Sequence, residues 1–245
     1  CVGVQIRVGG EEKEITVRRE VVVSSGSINS PKLLELSGIG RPEILEIHGI
    51  ALNHELMGVG ENLRDHYSPR VKFAITAKNA TYNDNGRGWR LAREVLRYAL
   101  FRDGFLARTS VPIRMYFRTR EGLETPDATI SVLPFIYEMK GRERRIAKQA
   151  GITMNINVLR SESRGDVHIQ SPDVNVPPAI RFNFLSDKHD RDGLLAAIRK
   201  ARELMSAEPI ASITGEEIAP GVDTQTDDEI LDWVRQTGET TYHPV

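Results

Sequence analysis

The six histidines have the most to offer chemically, because an imidazole of ordinary pKa, about 6.5, can take up a proton near neutral pH. His243 stands beside Pro244 in the run Thr240-Thr241-Tyr242-His243-Pro244-Val245. A His-Pro pair alone is a weak motif, and a plain surface histidine is the competing reading. His66 follows Asp65 and reads as a buried polar anchor, with direct contact to a bound group as the alternative. The Asn62 amide reads as holding loop backbone. His48, His54, His168 and His189 read as surface or turn residues. No pair has the HExxH spacing or makes a facial triad with a carboxylate, and the lone cysteine, Cys1, excludes a thiolate cluster, so no metal site is expected. Ser25 and Gly26 would let backbone approach a ligand closely; a tight strand-to-helix turn is the alternative.

Those residues need elements to hold them. Val21-Val22-Val23 has no polar face and predicts a strand buried on both sides, as in a parallel sheet covered by helices. Ser24, Ser25 and Gly26 follow at its carboxyl end, where open α/β sheets bind ligands. A short helix is expected next, capped by Ser30, opened by Pro31 and ended by Gly38. Val2 to Val8 and Glu14 to Val23 read as strands joined through Gly9-Gly10. That glycine pair is no phosphate loop, since no helix pattern follows it. Pro42 opens another short helix ending at Gly49. Met57 to His66 reads as an extended loop.

Further on, Val71, Phe73 and Ile75 alternate with polar residues. So do Val111 to Phe117, Ile130 with Val132, and Ile152 to Val158. Repeated period-two alternation predicts an antiparallel sheet with one buried face. Arg87 to Phe101 predicts a helix with Trp89, Ala92, Leu96 and Ala99 on one side. Glu138 to Ala150, with Lys140, Arg142, Arg144, Arg145 and Lys148, reads as a solvated loop or lid. Leu194 to Met205 is spaced for an amphipathic helix started near Ser186 or Asp187. Thr226-x-x-Glu229 is a capping box ahead of a last helix.

The 33 basic residues nearly balance the 34 acidic ones, and no basic stripe carries aromatics, so nucleic acid is not an expected partner. No apolar run approaches the roughly 20 residues of a membrane helix, so no membrane span is expected. The first residue is Cys1 and alternation begins at once, while Val245 falls inside an apparent motif. The reading is an internal fragment of a longer protein, with the cytoplasm the favoured location.

The segment Gly26-Ser27-Ile28-Asn29-Ser30-Pro31, then Leu33-Leu34, then Ser37-Gly38-Ile39-Gly40, resembles the second signature of the glucose–methanol–choline (GMC) family of flavin oxidoreductases. Val59-Gly60-Glu61-Asn62-Leu63-Arg64-Asp65-His66 resembles that family's link between its flavin and substrate domains. Ser163-Arg164-Gly165, Pro177-Pro178-Ala179-Ile180 with Asn183-Phe184-Leu185, and 240–245 extend the likeness along the chain.

The resemblance implies a fold of class α/β plus α+β. The end of a Rossmann-like FAD-binding domain with its crossover segment would occupy 1–66. A substrate domain, an antiparallel sheet flanked by helices, would occupy 67–236, and a strand returning to the flavin domain 237–245. It implies FAD as cofactor and an enzyme that moves hydride from the CH–OH group of a small-molecule alcohol to the flavin. His243 would be the general base, and Ser25, Gly26, Asn62 and His243 would lie beside the cofactor. The choline- and alcohol-dehydrogenase-like members are the expected kin. The electron acceptor, oxygen or a quinone or other carrier, stays open. The family's glycine-rich pyrophosphate loop is expected before Cys1 and its second active-site His or Asn after Val245. Two other readings stay open: a lyase that holds FAD structurally, and a non-catalytic relative.

Overall fold

A computed structural model describes residues 1–140 and 143–245. The chain divides into two compact units, one of residues 1–63 with 165–182, the other of 64–164 with 183–245. Among the described residues, no helix is long and apolar enough to cross a membrane.

In the first unit, Gly3–Val8 pairs antiparallel with Glu11–Thr16 through the Gly9-Gly10 turn, as expected. The second strand stops at Thr16, however, and Val21–Val23 is not a strand; Val22 is 77% exposed. A strand buried on both faces needs hydrogen-bonded neighbours on both edges. Among the described residues, none pairs with 21–23. The next helix, Gly26–Leu36, starts before Ser30 with Ser25 as its N-cap, and Pro31 lies inside it rather than in its first turn. Pro42 does open the helix Pro42–Ile47.

The expected loop 57–66 is partly strand. Glu61–Leu63 forms one edge of a three-stranded antiparallel sheet with Gly165–His168 at its centre and Ala179–Arg181 beyond. Only glycine fits at the entry. Gly60 has φ +78°, and a Cβ there would lie 2.3 Å from the Val167 carbonyl oxygen, while Gly60 O accepts from Val167 N at 2.7 Å. Gly60→Ala is expected to destabilise the protein by about 1–3 kcal/mol from the left-handed backbone alone, with the clash adding to it. A denaturation midpoint equal to wild type would refute this.

His168, expected at the surface, is 7% exposed. Its Nδ1 meets Glu35 Oε1 at 2.6 Å and its Nε2 meets Glu61 Oε1 at 3.3 Å. Glu35 is fully buried and also accepts from Ile169 N at 2.8 Å. Arg41 Nη1 donates to Glu61 Oε1 at 2.8 Å.

The second unit is built on a five-stranded antiparallel sheet. Its order is Thr214–Ala219, Arg70–Ile75, Gly151–Val158, Ala128–Leu133, Ile113–Phe117. The period-two segments form it as predicted. Val71, Phe73, Met154, Ile156 and Ile130 cover one face and bury against Leu194, Ala197, Ile198 and Ala201 of the helix Lys188–Ser206, and against Ile230 and Val234 of Asp227–Thr237. Asp187 caps the first helix, accepting from His189 N at 2.7 Å, and the Thr226–Glu229 capping box starts the second.

The other face carries Arg70, Lys72, Thr153, Asn155 and Ser131 in register. Thr153 Oγ1 donates to Phe135 O, and Arg114 Nε donates to Ser131 Oγ, so these buried hydroxyls are paired. The helix Gly88–Phe101 forms, but its apolar side is exposed, Trp89 by 69% and Leu96 by 59%, while Glu94 is buried. The basic stretch expected as a loop or lid is a hairpin, Tyr137–Lys140 with Glu143–Ile146. The guanidinium of Arg144 lies 5.2 Å from the Tyr137 ring centroid and pairs with Glu239, interactions that a charge count does not reveal. Arg142 lies outside the described residues.

Candidate active site

His243 is placed by a short ribbon in the second unit. Glu239–Thr240 pairs antiparallel with Tyr67–Ser68, and Thr241 N donates to His66 O at 3.1 Å. Pairing resumes at Arg64 and Val245, which exchange both backbone bonds at 2.8 and 2.9 Å. Asp65 alone therefore faces Tyr242, His243 and Pro244. Two extra residues on one strand make a bulge, a device that re-aims a side chain at a sheet edge. Tyr242 has φ +62°, a left-handed conformation that costs a non-glycine residue about 1–3 kcal/mol.

The bulge is tied from below. The Asp65 side chain is fully buried. Its carboxylate accepts from Thr240 Oγ1, from His66 N at 2.7 Å and from Thr241 Oγ1 at 3.4 Å. Asp65 Oδ1 lies 3.8 Å from His243 Nδ1. The His243 and His66 rings meet edge to face, with centroids 4.9 Å apart. His66 Nε2 lies 3.1 Å from Leu159 O. A carbonyl only accepts, so that nitrogen carries the proton. The start of the ribbon is fixed by charge: Glu239 accepts from Arg144, and Arg70 Nη1 sits 2.6 Å from it. Burial raises the Glu239 carboxyl, but the hydrogen bonds from both arginines outweigh it and hold its pKa below the usual range.

His243 is 59% exposed and opens on a cavity of about 370 Å³, which Asp65, His66, Arg64, Arg160 and Glu162 also line. Glu162 is engaged by Arg64 at 3.6 Å and Arg164 at 3.1 Å. An accessible imidazole beside a buried, fully hydrogen-bonded carboxylate can hold or pass a proton at a polar surface.

Ser25 and Gly26 lie together in the first unit, at the start of Gly26–Leu36. Ser25 makes no side-chain cap. Gly26 has φ +81° and nothing within 4 Å of a would-be Cβ. The first-turn amides and the open backbone beside them can receive a polar group. Asn62 is exposed in Glu61–Leu63, with left-handed backbone at φ +63°. The structure thus joins His243 to His66 and Ser25 to Gly26. The sequence reading gave Asp65 no role of its own. Its one sequence signal is a place next to His66, and the threonines it holds are 175 and 176 positions away. Among the described residues, no group of three His, Cys, Asp or Glu could hold a metal ion.

Models of the GMC oxidoreductase family match residues 1–68 and 161–245, at the two ends of the chain. Over 246 residues the chain is 34% identical to the oxygen-dependent choline dehydrogenase of Photobacterium profundum, covering all of this chain and 42% of that protein. It is 35% identical over 244 residues to the oxygen-dependent choline dehydrogenase of Brucella canis, covering all of this chain and 44% of that one. The chain therefore spans less than half the length of these relatives. Its fold matches the crystal structure of formate oxidase with a TM-score of 0.86 at 22% identity, over 100% of this chain and 47% of the other. It matches pyridoxine 4-oxidase from Mesorbium loti at 0.79 and 19% identity, over 99% and 43%. Signature segments, mixed architecture and whole-chain likeness agree: the chain belongs to the GMC oxidoreductase family.

Proposed function

We propose that this chain serves an FAD-dependent oxidoreductase that oxidises the CH–OH group of a small-molecule alcohol, with His243 as the base that takes the hydroxyl proton. The observation that carries the reading is His243 itself, accessible on a bulge, lining a cavity and backed by Asp65. The relatives named oxygen-dependent choline dehydrogenase support an alcohol as substrate and oxygen or another carrier as acceptor.

The residues present fit a bound FAD. Ser25, which makes no side-chain cap, and Gly26 present an uncluttered backbone to a polar part of the cofactor, and Asn62 is an exposed residue. When bound, FAD supplies the hydride acceptor. The chain's own part is to hold the alcohol near His243 and to accept its hydroxyl proton as the C–H bond is broken. In this reading 1–66 serves the cofactor, 67–236 the substrate, and 237–245 carries the base.

The test is reduction without oxygen. Small alcohols, choline among them, are added anaerobically to the flavin-loaded protein. Bleaching of the oxidised flavin absorbance is expected with at least one of them. A flavin that stays oxidised while the protein cleaves a cyanohydrin would make the chain part of a lyase instead.

A further inference from the structure

We propose that Asp65 is the positioning residue for His243: its buried carboxylate selects the ring form protonated on Nδ1 and so leaves Nε2 to take the alcohol proton. The inference rests on the reading of His243 as the base.

Three observations converge. First, the only residue opposite the three-residue bulge is Asp65, because pairing closes on both sides of it, at His66–Thr241 and at Arg64–Val245. Second, donors from both strands converge on its side chain: Thr240 Oγ1 and His66 N, with the Thr241 hydroxyl at 3.4 Å sharing its one proton with His66 O at 3.2 Å. A carboxylate can only accept, so these bonds fix its oxygens without competing for a ring proton. Third, the ring atom facing it is Nδ1, at 3.8 Å. That exceeds a hydrogen bond, and a shift of under roughly 1 Å would make one, as polar contacts in unliganded sites commonly tighten when substrate binds.

An acceptor at Nδ1 favours the proton there, and the lone pair then resides on Nε2. The other groups near the ring do not supply this. His66 meets it edge to face, with its own Nε2 committed to Leu159 O. Glu162, the cavity's other carboxylate, is engaged by Arg64 and Arg164, and Arg160 Nη1 turns to Thr125 Oγ1 and Pro126 O. The fold thus commits a buried carboxylate and two threonines to a residue that is itself mostly exposed, an arrangement that stability alone does not require.

A double-mutant cycle on the flavin-loaded enzyme tests it. Asp65→Asn keeps an oxygen for the threonines but offers the ring an amide donor, which favours the wrong ring form. It is expected to lower kcat by about 10²-fold or more with KM changed little. In a His243→Gln background the same change is expected to cost no more than about twofold, because a residue acting through His243 has nothing left to act on. Equal losses in both backgrounds would overturn the inference while leaving His243 as base. A His243→Gln enzyme with full turnover would overturn the underlying reading instead. Should Asp65→Asn fail to bind flavin, Thr240→Val with Thr241→Val loosens the carboxylate without removing it. A several-fold fall in kcat is then expected in the wild-type background only, and an equal fall in the His243→Gln background would count against Asp65.

Discussion

Replacing His243 with alanine is expected to lower turnover of the flavin-loaded protein by about 10²-fold or more, with flavin content unchanged. The size follows from the role. A positioned general base contributes about 10²–10⁴-fold to a proton transfer, and the groups nearest His243 are the buried Asp65 carboxylate, already holding its own hydrogen bonds, and the His66 ring. His66 has its Nε2 committed to Leu159 O and is a poor substitute. The structural cost is expected to be small. The His243 side chain is 59% exposed, and the bulge is pinned by backbone bonds at Thr241 and Val245 that an alanine keeps. Turnover and flavin absorbance measured on the same sample separate the two effects. Unchanged turnover would remove His243 from the chemistry. A parallel loss of flavin would assign it to cofactor retention instead.

Glu35→Leu is expected to be the most damaging substitution for stability, costing about 3–5 kcal/mol. Glu35 is wholly buried, joined to His168 at 2.6 Å and to the Ile169 amide at 2.8 Å. Leucine fills the space but leaves His168 Nδ1 and the buried Ile169 N–H without their partner, each with a desolvation penalty it formerly avoided. Two comparisons sharpen the expectation. Arg199→Ala breaks an ion pair whose partners are 54% and 55% exposed and should cost at most about 1 kcal/mol. Glu35→Leu combined with His168→Leu removes both partners and should be milder than Glu35→Leu alone, since no buried imidazole is left facing an apolar side chain. Urea midpoints of the four proteins decide it. A Glu35→Leu protein no less stable than Arg199→Ala would show that the pair contributes little.

Sequence legibility followed the range of the interactions. The sheet strands of the second unit were readable because alternation is a local property that burial of one face imposes. The caps at Asp187 and Thr226 were readable because a cap contacts residues two or three positions away. His243 stands out in the sequence only through the likeness of its neighbourhood to a known family, and its role as base is the proposal made above.

What stayed hidden depends on partners far along the chain. His168 looked like a surface residue because Glu35, which buries it, lies 133 positions earlier. Asp65 had no visible role because its threonines come from the other end of the second unit. Val21–Val23 has the composition of an interior strand, but composition states what a segment would tolerate and not whether a neighbour pairs with it. The basic stretch was misread in its secondary structure and not in its exposure. Residues 143–146 are exposed, as their charges suggested, but they form a strand, and Arg144 pairs with Glu239 and lies over Tyr137.

The order of strands in the sheet has a consequence for how the protein is made. Arg70–Ile75 lies between Gly151–Val158 and Thr214–Ala219, so both its neighbours are synthesised long after it. The Thr76 hydroxyl finds its acceptor, Ile213 O, 137 positions downstream. A chain emerging from the ribosome therefore carries Val71, Phe73 and Ile75 with one edge open until Gly151–Val158 arrives, and the other until Thr214–Ala219 does. Open strand edges with apolar faces template wrong pairings. Pairing between segments this far apart in sequence is intrinsically slower than local pairing.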